Sequence, residues 1–123
     1  MPEPRTIHAL VSARAQQTPD ARAIGAPGRP TLSYAALAAH VEAVGRRLRA
    51  VGVARGERVA IVLPNGPEMA TAFLSIASFA TAAPLNPAYR EPEFEFFLTD
   101  LAPRALVIEQ GLASPSRAVA ARL

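Results

Sequence analysis

The sequence predicts an α/β fold, a parallel or mixed sheet with helices on its faces. Half of the residues are hydrophobic and 19% are charged, the balance of a chain that buries a core rather than of a disordered one. Two runs, "RVAIVL" at Arg58 to Leu63 and "RALVIE" at Arg104 to Glu109, are short, β-branched and apolar, as strands covered on both faces must be. Segments with the 3.6-residue apolar period separate them, and such alternation builds parallel sheets.

Taken in order, Thr6 caps a helix running to about Gln17, with Ile7, Leu10 and Val11 on one face, and Thr18-Pro19-Asp20 ends it. "ARAIGAPGRPTLSY" reads as two extended pieces joined by a turn at Ala26 to Arg29, because glycine and proline fall where a hairpin needs them. Ser33 caps the clearest helix. From Tyr34 to Val51 the residues Leu37, Val41, Val44, Leu48 and Val51 recur at steps of four and three, arginines fill the last turns where the dipole favours them, and Gly52 supplies the stop.

The strand Arg58 to Leu63 is followed by a helix from Pro67 to about Ala80, with proline at its first position and Glu68 in its first turn. "TAAPL" returns as a short strand that Pro84 and Pro87 keep from lengthening. A helix over Glu91 to Leu101 then puts Phe94, Phe97, Leu98 and Leu101 on one face and Glu91 and Glu95 on the other. After the strand at Arg104 to Glu109, Ser114-Pro115 opens a last helical piece that reaches Leu123.

Composition narrows the chemistry. The chain of 123 residues has no cysteine, which removes disulfides, thiolate catalysis and cysteine-ligated metals. Its 13 basic residues are all arginine, so no phosphate-loop, Schiff-base or adenylate-contacting lysine can come from it. The net charge of +3 is dispersed apart from Arg46, Arg47 and Arg49, without interleaved aromatics, so nucleic acid is not an expected partner. The apolar stretch Ala70 to Leu85 is broken by Thr71, Ser75, Ser78, Thr81 and Pro84 and is not a membrane span. No charged segment precedes an apolar one near Met1, so no secretory signal is expected and the cytoplasm is the expected compartment. The terminal Ala121-Arg122-Leu123 is similar to a variant of the peroxisomal Ser-Lys-Leu address; a chance match is the preferred explanation in a chain so rich in these residues.

Each candidate site has a plainer explanation. "IVLPNGPEM", Ile61 to Met69, passes from strand through a glycine turn into a helix, the junction where α/β proteins hold phosphate. Gly66 stands alone there, prolines on both sides remove N–H donors, and Glu68 puts a negative charge where an anion would sit, so a structural turn is expected. His8 and His40 lie on separate helices with no acid at a local spacing to orient them, and surface or interface roles are expected. Serines are present, but none stands in a G-x-S-x-G elbow. Glu91, Glu93 and Glu95 suit the first turns of a helix through the dipole alone and read as a solvated face. "APLNPAYR", Ala83 to Arg90, closes a strand and offers Tyr89 and Arg90, the best internal candidate for a ligand contact, although a rigid connector is the first reading. No residue is assigned a catalytic, cofactor-binding or metal-ligating role.

Four elements in order then carry a resemblance: the helix start Leu32 to Leu37, "GVARGERV" at Gly52 to Val59, Leu63-Pro64-Asn65, and Pro84-Leu85-Asn86-Pro87. Their sequence and spacing resemble the N-terminal subdomain of the adenylate-forming acyl-CoA synthetase superfamily over about Ile7 to Ile108, and "ATAAPLNPAYREPEFEFFLTDL" looks closest to the oxalate–CoA ligase-like branch. The resemblance implies that residues 1–123 are the N-terminal part of an AMP-binding domain, an incomplete subdomain with no complete second domain. It implies an ATP-dependent carboxylic acid–CoA ligase, with ATP, magnesium and CoA as cofactors of the full-length family and none bound by this chain alone. In that family the phosphate loop ending in Pro-Lys, the adenine motif, the ribose-contacting aspartate, the C-terminal lysine and most of the acyl pocket lie beyond the part matched here. Phe79 departs from the glycine that many members have.

The expected partner is therefore the remainder of the ligase, or a second copy held through exposed edge strands and apolar helix faces. The alternative is a stand-alone truncated paralogue acting as a binding or interaction module. A reading frame that continues past codon 123 into a Ser/Thr/Gly-rich loop with Pro-Lys separates the first reading from the second.

Overall fold

The computed structural model describes residues 3–123. The 123-residue chain forms α1 (Ile7–Gln17), β1 (Arg22–Ile24), β2 (Leu32–Ser33), α2 (Tyr34–Ala50), β3 (Arg58–Val62), α3 (Pro67–Ala77), β4 (Thr81–Pro84), α4 (Glu91–Leu101), β5 (Ala105–Ile108) and α5 (Pro115–Arg122). The order α, hairpin, α, β, α, β, α, β, α read from the sequence is the observed one.

β3 is the centre of a parallel three-stranded sheet of order β4-β3-β5, with Arg58 opposite Thr81 on one side and Val59 opposite Ala105 on the other. Its residues Val59 to Val62 are fully buried, and their alternation divides the core. Val59 and Ile61 pack with Leu48, Val53, Leu63 and Ile76, beneath α2 and α3. Ala60 and Val62 pack with Leu85, Phe94, Leu98 and Val119, beneath α4 and α5. The result is a helix–sheet–helix sandwich.

The hairpin stands apart from this sheet. β1 and β2 pair antiparallel, Arg22 opposite Ser33 and Ile24 opposite Leu32, with a register shift between them. The turn is closed by Arg29 N–H donating to Ala26 O at 3.2 Å, with Gly28 at φ 71°. It joins α1 and α2 in a third cluster built on Val11, Leu37 and Val41.

Caps fall where the sequence put them. Thr6 and Ser33 side chains accept from Ala9 and Ala36 N–H at 3.0 and 3.1 Å, each satisfying an otherwise orphaned donor. Thr71, Ser75 and Ser78, the polar breaks in the apolar stretch, each donate to the carbonyl four residues earlier at 2.7 Å, so the buried Ser75 and Ser78 leave nothing unpaired.

Several boundaries differ from the sequence reading. α3 stops at Ala77 instead of about Ala80, because the N–H groups of Phe79 and Ala80 both donate to Ile76 O and close the last turn. α2 ends at Ala50 and α5 at Arg122, and each of the three strands of the parallel sheet loses terminal residues to the adjoining turn. Leu10 is 47% exposed, not part of the α1 core face; Val51, beyond the end of α2, is 64% exposed.

Candidate functional site

Both turns singled out in the sequence emerge at the carboxyl ends of adjacent strands, because β3 and β4 are parallel neighbours. They share a groove of about 380 Å³, lined by Leu63, Asn65 and Met69 from one and Pro84, Leu85, Asn86 and Pro87 from the other. The sheet ladder extends into it, with Leu85 N–H donating to Ile61 O at 2.8 Å.

In the first turn Gly66 is the N-cap of α3 at φ 154° and ψ −174°, a conformation open in practice only to glycine. It supplies no side-chain cap, Pro67 follows at the first helical position, and the Glu68 carboxylate accepts a hydrogen bond from Arg29 Nη2 of the hairpin turn. The Arg29 contact, then Glu68's own backbone N–H, hold that carboxyl below its ordinary pKa, and the same contact raises that of Arg29. The turn is thus tied down by an ion pair across the surface. This pair borders a second groove of about 420 Å³ whose walls include Ile24, Leu32, His40 and Thr71.

In the second turn Asn86 Oδ1 accepts from Ala88 N–H at 2.9 Å and Asn86 O accepts from Tyr89 N–H at 3.1 Å, the side-chain-closed turn that Asn-Pro favours. Tyr89 stacks on Phe97, ring centroids 5.1 Å apart at 15°, and meets Phe94 edge-on at 5.6 Å. Its ring is a core element. Arg90 is the N-cap of α4, its N–H donating to Glu93 Oε1 at 3.0 Å. Both residues of the best internal candidate therefore have structural work.

Glu91 and Glu95 are not merely a solvated face: both meet Arg122 of α5, at 3.1 and 3.6 Å. His8 Nε2 contacts Glu42 Oε1, and its ring lies 5.0 Å from that of Phe79. The absence of an orienting acid inferred from the sequence is thus corrected for His8, because the acid sits on the next helix, 34 residues away. A search for local spacing has no means of finding such a partner; the facing of α1 and α2 does. His40 lines the groove beside the Arg29–Glu68 pair.

These residues do not fit a nucleotide triphosphate. The β3–α3 turn has one glycine, two positions without an N–H, and a carboxylate in the first helical turn, where phosphate requires donors and positive charge. Among the described residues no group of three or more His, Asp or Glu side chains is placed to hold a metal ion. No described helix is long and apolar enough to cross a membrane.

Comparison with known proteins supplies the relation. The model of the AMP-binding enzyme family matches residues 11–122. The oxalate–CoA ligase of Arabidopsis thaliana is 36% identical over 120 residues, covering 96% of this chain and 23% of that protein. The Humulus lupulus protein named "Probable CoA ligase CCL9" is 36% identical over 119 residues, with the same shares covered. Among solved structures, the Mycobacterium tuberculosis fatty acyl CoA synthetase superposes with a TM-score of 0.79 at 28% identity, over 95% of this chain and 23% of its own. The chain thus spans about a quarter of the length of these relatives, and its fold is that of the N-terminal part of acyl-CoA synthetases. With the family model covering nearly all of it, the chain belongs to the AMP-binding enzyme family.

Proposed function

We propose that this chain is the N-terminal scaffold of the AMP-binding domain of an ATP-dependent carboxylic acid–CoA ligase, and that it forms no acyl-adenylate alone. The observation that carries the reading is the match over residues 11–122 to a family whose 36% identical CoA ligase relatives are some four times longer. In such a ligase the acid attacks the α-phosphate of ATP, pyrophosphate leaves with magnesium's help, and the CoA thiol then displaces AMP from the acyl-adenylate. The residues described above position no cation or base for those steps. Their contribution is the central parallel sheet on which the rest of the ligase is built, working in the cytoplasm.

The test has two arms. Reading the gene past codon 123 is expected to reveal a Ser/Thr/Gly-rich loop ending in Pro-Lys within about 60 codons. The purified 123-residue protein, given ATP, magnesium and oxalate or other small acids, is expected to show no ATP–pyrophosphate exchange. Exchange by the 123 residues alone, or a frame that continues without such a loop, overturns the reading.

A further inference from the structure

The two edges of the parallel sheet are unlike. β4 carries Pro84, which has no N–H to offer, and its ends are exposed, so this edge is poorly suited to continued pairing. β5 is Ala-Leu-Val-Ile, without proline or charge, and it pairs only with β3. All four of its residues are half-exposed although they point alternately into the two cores, Ala105 and Val107 into one and Leu106 and Ile108 into the other. A strand that apolar belongs inside a sheet.

α5 identifies what goes there. It packs on α4, sends Val119 and Ala120 into the core beneath Leu106 and Ile108, and brings Leu123 into a groove of about 540 Å³ shared with Arg104, Ala105 and Leu106. That groove lies at the amino end of β5. A helix that follows a strand and returns the chain to the level where that strand began is the crossover of a β-α-β unit, and its next strand runs parallel.

We infer that the free edge of β5 is the docking line for a parallel strand from the polypeptide that follows Leu123 in the full ligase. The inference rests on the proposed function, since the relatives' extra length supplies the strand.

Amide hydrogen exchange tests it independently of catalysis. Two proteins are compared with the 123-residue chain: one extended after Leu123 by the roughly 20 residues that follow the aligned segment in the Arabidopsis oxalate–CoA ligase, the other by a scrambled version. The expected result is exchange slowed about tenfold or more over Ala105 to Ile108 by the authentic extension alone, with Thr81 to Pro84 unchanged. No slowing at β5, slowing at β4 instead, equal slowing by the scrambled sequence, or general loss of protection overturns it. Concentration-dependent protection of β5 in the unextended chain, with a dimer by size-exclusion chromatography, gives the edge to a second copy and also overturns it. A ligase that fails ATP–pyrophosphate exchange yet shows the β5 protection would defeat the functional reading and leave the strand in place.

Discussion

The Phe79 ring lies directly against Gly45 in the middle of α2: a Cβ on residue 45 would come within 2.6 Å of it. The same ring meets His8 of α1 and carries the Arg49 guanidinium 5.9 Å from its centroid, so it fastens α1 and α2 to the start of β4. Gly45→Ala gains about 1 kcal/mol of helix propensity but forces a buried aromatic off its place, at about 1–3 kcal/mol. Net destabilisation is expected, read as a lower urea midpoint, and Phe79→Leu in the same chain should recover part of it.

Phe94 is fully buried in the cluster with Leu98 and Val119. Phe94→Ala is expected to cost about 3–5 kcal/mol, a large share of the stability of a domain this size, and to broaden or abolish the cooperative transition by circular dichroism.

The contact between α4 and α5 separates packing from charge. Arg122→Ala breaks exposed ion pairs to Glu91 and Glu95 and should change stability by less than about 1 kcal/mol. Val119→Ala removes two buried methyl groups and should cost about 2 kcal/mol or more. A reversal of that ranking in paired urea titrations would show that the charges hold the helices.

Glu68 sets a pH dependence. Its carboxyl is held below the ordinary 4.5 by Arg29, so the folded state binds its proton less readily than the unfolded state does. The stabilisation is complete above the unfolded pKa and is lost as pH falls from about 4.5 through the lower folded value. Glu68→Gln should flatten this part of the acid limb in midpoint-against-pH curves and leave the slope above pH 6 unchanged.

Ala102 ends α4 in the left-handed region, φ 45° and ψ 55°, where a Cβ is strained by about 1–2 kcal/mol. Glycine removes that strain at an unfolded-state entropy cost of about 0.4–1 kcal/mol. Ala102→Gly should therefore raise the melting temperature slightly.

The strands and helices were legible because each signal was local. Val59 to Val62 are apolar without interruption since helices cover both faces, and Thr6 and Ser33 announce helix starts through their own side chains. What sequence reading missed involves partners brought together by the fold: Glu42 against His8, Arg29 against Glu68, Arg122 against Glu91. Tyr89 was misplaced for the same reason, since its position in a loop after a strand suggests a ligand while the stacked Phe97 on the next helix makes it core. Four short motifs in order pointed to the family although none of them carries its chemistry, because backbone turns constrain sequence even where no reaction occurs.

The central place of β3 bears on how the polypeptide is made. Both of its neighbours follow it in the chain, so by the time Ile108 has left a ribosome all three strands are available to pair, each linked to the last by a single helical segment. Folding during synthesis can then close this layer before the remainder of a long protein exists, giving later segments a formed surface to assemble upon.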